Sequence, residues 1–472
     1  MFNLHGPAHR AHPANRPGSP AGGCIPVGLA ALLGTLGAAC TQGDDSAAPD
    51  PGMVEDIEVV LSPEQPTVAT LRWRTTEPAF SQVTFGESGG PTATTPLEPD
   101  ASTEHEAVLV GVPQEREILF SISALSDAGV SFTAEGVYTT GRLVPLDVDL
   151  SVEQDAERSA GGIMLLPVLT SPPGTEVHGQ LNLVDAVGER LWAVDGGLVY
   201  RARLAPDGRG LVYLSGEKGG SWLREISWTG EVLWAVDVPR GQRDFAIVGE
   251  DTYAVLVKDS RSIEGYPGAV DGDALVLVHP DGTQEDAWSV FDALGPGWCA
   301  EEHAFNQDWS HANYLSWLPD QGLLLIVLRS FPAIVAVDPF SRAQAWILSA
   351  TCSDFVWSEP VPLFVNPHSV EPTADGLLVF DQGSEPDGCS GAMEIAFDPD
   401  TPEVTPLWSW KGSRCQHTYF MGNAQLLDDG HRLVVLNGAV SEVTLEGEVV
   451  YRLGSSLGAG FCYVERVAGL YP

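Results

Sequence analysis

With 472 residues, 44% of them apolar and only 19% charged, the chain has material for two or three domains with large cores. Its formal net charge of −40 argues against nucleic acid as a partner, because phosphates must be neutralised by lysine and arginine. Short apolar runs between Gly-, Pro- and Asp-rich turns, with no sustained period of 3.6, argue against a helical fold and read as all-β.

Residues 1–40 hold Arg10 and Arg16, no acidic residue, and an apolar stretch at 25–39 that ends in small residues. This is the pattern of a signal peptide, and the stretch is short for a membrane span. Cys40, followed by a polar run, resembles the acceptor cysteine of a bacterial lipoprotein. It implies an exported protein of the cell envelope, periplasmic or on the outer surface, with membrane anchoring through lipid on Cys40. Residues 41–53 are small and acidic and read as a flexible tether. Beyond Cys40 stand Cys299, Cys352, Cys389, Cys415 and Cys462. An oxidising compartment favours pairs among them, the odd number leaves one over, and their connectivity stays open. Their spacing fits no zinc pattern, and no metal constellation is expected.

Residues 54–142 alternate apolar and polar in short strands, with Gly, Pro, Asp or Ser at the turns. About seven strands in about 90 residues is the signature of an immunoglobulin-like or fibronectin-like β-sandwich. Trp73 is expected in its core.

Residues 143–472 carry two interleaved repeats. In one, a turn precedes an aromatic residue on the next strand: Gly188 then Trp192, Gly230 then Trp234, Gly282 then Trp288, Pro339 then Trp346, Pro399 then Trp408, Gly447 then Tyr451. In the other, a turn aspartate (Asp207, Asp320, Asp375, Asp429) precedes an apolar strand. All-strand repeats of this length point to a β-propeller, whose blades bury their faces only against one another. Six units predict six blades, with a seventh only if residues 142–168 add more than a closing strand.

Propeller ligands commonly bind at the mouth of the central channel. Counting back seven residues from each turn aspartate gives Tyr200, Asn313, His368 and Gly422 as equivalent positions. His311 lies two residues from Asn313, which on a strand puts both on one face. Arg329 ends the apolar run 323–328 on the neighbouring strand. A lone histidine often does no more than satisfy a backbone carbonyl. Two imidazoles, an amide and a guanidinium in matching places suit an oxyanion, and an imidazole can act as nucleophile or proton carrier.

The segment DWSHANYLSWLPDQGLLLIVLRS (308–330) resembles that of bacterial arylsulfate sulfotransferases, in which Asp-Trp-x-His-x-Asn leads into a strand ending in arginine. PHSVEPTADGLLVFDQG (367–383) and MGNAQLLDDGHRLVVLNG (421–438) resemble two further segments of that family. The resemblance implies an N-terminal sandwich before a six-bladed propeller. It implies His368 as the catalytic nucleophile that becomes transiently sulfated, with His311, Asn313 and Arg329 binding the sulfuryl group. The implied reaction passes a sulfuryl group from a phenolic sulfate ester to a phenol, with no cofactor and no nucleotide sulfate donor. The sequence departs from the family at Tyr200, where a further histidine is usual, and at Pro367, where glutamine is common. His303 and His417 are the histidines nearest the motifs that could substitute. The alternative is a non-catalytic propeller, a binding or scaffold protein of the envelope that retains part of the anion pocket.

Overall fold

The computed structural model describes residues 53–170, 177–217, 220–295, 297–299, 307–349, 351–358, 364–383, 388–412, 415–456 and 460–471. The signal segment, Cys40, nearly all of the tether and His303 lie outside the described residues. The protein is all-β and propeller-like, with one four-residue helix, Val290–Ala293, among the described residues. No helix there is long and apolar enough to cross a membrane.

The first sheet joins Val54–Leu61, Ala69–Glu87, Thr92–Thr94, Ser102–Leu109, Glu117–Ser126 and Ser131–Thr139. Where short strands are expected, Ala69–Glu87 is a single strand of 19 residues. Its register breaks between Arg74 and Ala79, so its first half pairs with Ser102–Leu109 and its second with Glu117–Ser126. One strand thereby serves both layers, and Leu71, Trp73, Val83, Phe85 and Ile122 fill the space between them. Trp73 is 2% exposed and stacks on His105, as expected of a core residue.

Six further sheets follow. Strands Leu198–Leu204, Gly210–Glu217, Gly220–Ser227 and Val232–Asp237 form one meander, and each later sheet repeats the plan. The sheets begin, at their inner edge, with Leu198–Leu204, Gly241–Gly249, Ala312–Leu318, Pro367–Thr373 and Ala424–Leu426. The sheet that opens this region is completed by the end of the chain: Gly460–Phe461 and Glu465–Val467 pair with Ile163–Thr170 as its inner strand. Leu150–Gln154 adds a fifth strand to the outer edge of the last sheet. Both chain ends of this region are thus tied into a closed arrangement, which removes open edges.

The inner strands meet in sequence. Tyr463 N donates to Tyr200 O (3.3 Å), Arg203 Nε to Phe245 O (3.1 Å) and Leu315 N to Asp244 Oδ2 (2.8 Å). Ala312–Leu318 packs on Pro367–Thr373, whose Ser369 Oγ accepts from Ala424 N (3.1 Å). The circuit returns through Asn423 Nδ2 to Val464 O (2.8 Å). The turns of both sequence repeats lie at the same end of these meanders. The first closes the outer hairpins, as at Gly230 before Val232–Asp237. The second closes the inner hairpins, as at Asp320 before Leu323–Leu328. The starts of the inner strands, with the candidate residues, lie at the opposite end.

Two disulfides are present, Cys299–Cys352 and Cys389–Cys415, and Cys462 is a buried free thiol. Asp429, His431 and Glu442 come within metal-ligand reach of one another. They are satisfied as a network: His431 Nδ1 lies 2.7 Å from Glu442 Oε1, and Glu442 is paired with Arg466.

Candidate active site

Four of the inner strands start with an irregularity. Pairing with the second strand passes from Val199 to Arg201, from Ala312 to Tyr314 and from Pro367 to Ser369. The skipped residues are Tyr200, Asn313 and His368, three of the four positions found by counting back from the turn aspartates. A β-bulge leaves its extra residue outside the ladder and re-aims its side chain, a device common beside active sites. Gln242, Arg243 and Asp244 are skipped in the same way on Gly241–Gly249, and Tyr463 stands in the gap between the two closing strands.

His368 is 2% exposed. Its Nδ1 lies 3.2 Å from the carbonyl oxygen of Gly422. A carbonyl can only accept, so Nδ1 carries the proton and Nε2 keeps its lone pair. The Tyr463 hydroxyl, 3.4 Å from the same Nδ1, donates to Asn313 O at 2.6 Å. Burial holds the His368 pKa well below the usual histidine value, and the charges of Arg243, His311 and Arg329 push it the same way. The result is a neutral imidazole set among cations.

Gly422 explains how that carbonyl is placed. Its φ is +99°, and a Cβ there would stand 2.5 Å from the Phe380 ring, so only glycine fits.

His311 and Asn313 do not share a strand face. His311 lies before the strand in left-handed conformation, φ 51°, and Asn313 is at the bulge, so strand alternation does not apply to the pair. His311 Nδ1 pairs with the Asp308 carboxylate, which that contact holds below the usual carboxylate range. The His311 carbonyl accepts from Arg329 N at 3.1 Å, which fastens the arginine beside it as expected. Asn313 is wholly buried, and neither Oδ1 nor Nδ2 has a hydrogen-bond partner. Such an orphaned amide is costly, by about 1–3 kcal/mol, and its Nδ2 is a donor that a bound oxyanion would satisfy once neighbouring side chains moved aside.

Arg329 is half-buried and donates from Nε to Gln382 Oε1 at 3.2 Å. Gln382 is itself fixed by Nε2 to Met421 O (3.0 Å) and by Ser390 Oγ to its carbonyl (2.7 Å). Among the described residues the terminal nitrogens of Arg329 make no hydrogen bond, which leaves the fork of the guanidinium for a ligand.

Arg243 escaped the sequence reading. It enters the site from Gly241–Gly249, half-buried and left-handed at φ 61°. Its charge acts on His368, Tyr200 and Tyr463. The available signal was Asp244, seven residues before Asp251, but the turn there has no glycine after the aspartate. Tyr463 was missed as well, since the closing strand carries no turn motif.

Tyr200 is half-buried, and burial raises its phenol pKa. Arg201 beside it is not an anion ligand. It is buried against Asp244 (3.8 Å) and Glu465 (3.5 Å) and stacks over the Tyr314 ring at 4.6 Å. His417, two residues beyond the Cys389–Cys415 bridge, lies with Nδ1 3.2 Å from Gly388 O and its ring against Tyr419.

A family model described as Arylsulfotransferase (ASST) matches residues 151–442. A comparison with curated proteins finds no match. Similar solved structures include a putative 6-phosphogluconolactonase from Bacteroides fragilis, 11% identical, covering 65% of this chain and 98% of that one at a TM-score of 0.39. TolB from Acinetobacter baumannii is 11% identical and covers 76% of this chain and 81% of its own, at 0.38. The β-propeller domain of Cps50 (Swd1) from Myceliophteria thermophila is 11% identical and covers 62% of this chain and 88% of its own, also at 0.38.

Proposed function

The chain belongs to the arylsulfotransferase family, and on that premise we propose that it moves a sulfuryl group from a phenolic sulfate ester to a phenol through a sulfohistidine at His368. The observation that carries the reading is the setting of His368: buried, its pKa held low, with Nδ1 committed to Gly422 and the guanidinium charges of Arg243 and Arg329 acting on it. In the first half-reaction Nε2 attacks sulfur. The Nε2–S bond forms, the S–O(aryl) bond breaks, and the electron pair leaves with the phenolate. In the second, an acceptor phenolate attacks the same sulfur and releases the imidazole. Arg329, His311 and Asn313 hold the sulfuryl oxygens, whose charge needs alignment and electrostatic stabilisation more than covalent help. Contact with Asn313 requires the side chains that cover it to part. The six sheets act as blades that hold these groups at one end of a common channel. The protein is exported and works in the cell envelope, anchored through Cys40.

The test is incubation with 4-nitrophenyl sulfate, with and without a phenol, on wild type and His368→Ala. Acceptor-dependent nitrophenol release that disappears in the variant is expected, together with a sulfuryl mass increment on the His368 peptide of wild type. No release from folded wild type with several acceptors refutes the proposal. Tyr200, in place of the family's histidine, favours a second reading: a propeller that binds aryl sulfates without turning them over. Saturable binding of the ester without any sulfuryl increment on His368 would select it.

A further inference from the structure

We propose that Arg243 is a catalytic residue that stabilises the phenolate oxygen leaving the donor and entering with the acceptor, so that neither half-reaction requires a proton-transferring histidine. The proposal rests on the sulfotransferase reading of His368 and deepens it.

Three observations carry it. The first is how the residue is held. Gln242 on one side donates from Nε2 to Asp273 Oδ1 at 2.6 Å. Asp244 on the other accepts from Leu315 N at 2.8 Å and from Phe245 N at 2.8 Å. Between these fixed neighbours Arg243 takes a left-handed φ of 61°, a conformation that L side chains adopt only at a cost of about 1–3 kcal/mol. Strain kept in place by anchored neighbours, at a bulge beside a reactive group, presents one side chain in one direction.

The second is its lack of a partner. Among the described residues Arg243 forms no ion pair and no hydrogen bond from its side chain. Arg201 and Arg203, nearby, are neutralised by Asp244 and Glu465. Asp273 and Asp308 feel its charge without pairing with it, so its guanidinium, half-buried in a protein of net charge −40, is open to a bound anion.

The third is what surrounds it. Its charge bears on His368 and on the phenols of Tyr200 and Tyr463, so it reaches the zone between the nucleophile and the place where the family carries its extra histidine. Arg329 and His311 serve the sulfuryl group from the next sheet in the ring, which stands between those of Arg243 and His368. A cation facing the aryl oxygen supplies by charge what an acid would supply by a proton. The S–O(aryl) electron pair departs onto an oxygen beside the guanidinium, and the acceptor arrives there already deprotonated by solvent.

The experiment compares donors whose phenols differ in acidity, 4-nitrophenyl sulfate and unsubstituted phenyl sulfate, on wild type, Arg243→Gln and Arg243→Lys, with folding checked by circular dichroism. The poorer leaving group depends more on charge stabilisation. Arg243→Gln is therefore expected to lose about tenfold in kcat/KM with the nitrophenyl ester and on the order of 10²–10³ with the phenyl ester, and Arg243→Lys to recover most of the difference. Equal losses for both donors overturn the assignment while leaving the sulfohistidine reading intact. Failure of Arg243→Lys to recover any of a differential loss also overturns it, since a merely positional role would be responsible. Absence of turnover by wild type with every donor overturns the sulfotransferase reading and this proposal together.

Discussion

Glu371 offers a direct test of the electrostatics beneath the site. It lies on the same inner strand as His368, and its Oε2 accepts from Leu426 N at 3.2 Å. Burial raises its pKa from 4.5 to about 7, opposed by the charges of Arg201 and Arg203. A rise of that size corresponds to about 3 kcal/mol of difference between the folded and unfolded protein. The sign follows from linkage. A folded-state pKa above the unfolded one contributes stability that is fully present below about 4.5 and is lost as pH rises through about 7. Glu371→Gln keeps the acceptor for Leu426 and removes the titration. Wild type and variant should therefore be close in stability at pH 4.5, and the variant should be more stable by about 3 kcal/mol at pH 8. For a unit running from Pro51 to Pro472, an unfolding entropy on the order of 0.9 kcal/mol/K converts this to about 3 °C in midpoint. Thermal melts followed by circular dichroism at half-unit pH steps measure it. A difference between the two proteins that does not change with pH refutes the argument that Glu371 is charged against its environment.

Asn313→Leu should raise the stability of the free protein by about 1–2 kcal/mol, because it removes two unpaired buried polar atoms, and should lower sulfuryl transfer by on the order of 10²-fold. Denaturant unfolding and initial rates on the same sample check both halves. Gly422→Ala should destabilise by about 2–4 kcal/mol, since its Cβ meets the Phe380 ring at 2.5 Å in a left-handed backbone, and should release His368 Nδ1 from its carbonyl. The midpoint of urea unfolding and the yield of sulfated histidine report the two effects. Loss of the Cys389–Cys415 bridge, which closes a sequence separation of 26, should cost about 3–4 kcal/mol. It should also weaken donor binding, because Ser390, next to Cys389, holds Gln382 behind Arg329. Unfolding and KM for the aryl sulfate, measured on Cys389→Ser with Cys415→Ser, test this.

The turn aspartates and the aromatics that follow the turns are local signals. Each is read within a dozen residues, and together they determined from sequence alone that the chain is all-β and built of repeated hairpins. Because the distance from turn to bulge is constant, they also located Tyr200, Asn313 and His368 in equivalent places. What lies outside a hairpin was settled only by the tertiary structure. The chain end returns as the inner strand of the sheet that opens the region, and so brings Tyr463 against His368, 95 residues away in sequence. Cysteine pairing depended on which loops meet at one end of the sheets. Strand alternation placed His311 and Asn313 on one face, whereas a left-handed residue and a bulge separate them. Arg243 gave no signal because its turn lacks the glycine that marks the others, and its importance lies in having no partner. The absence of a direct ion pair, with Asp273 and Asp308 acting only through space, is a property of the folded neighbourhood, which no local pattern of residues encodes.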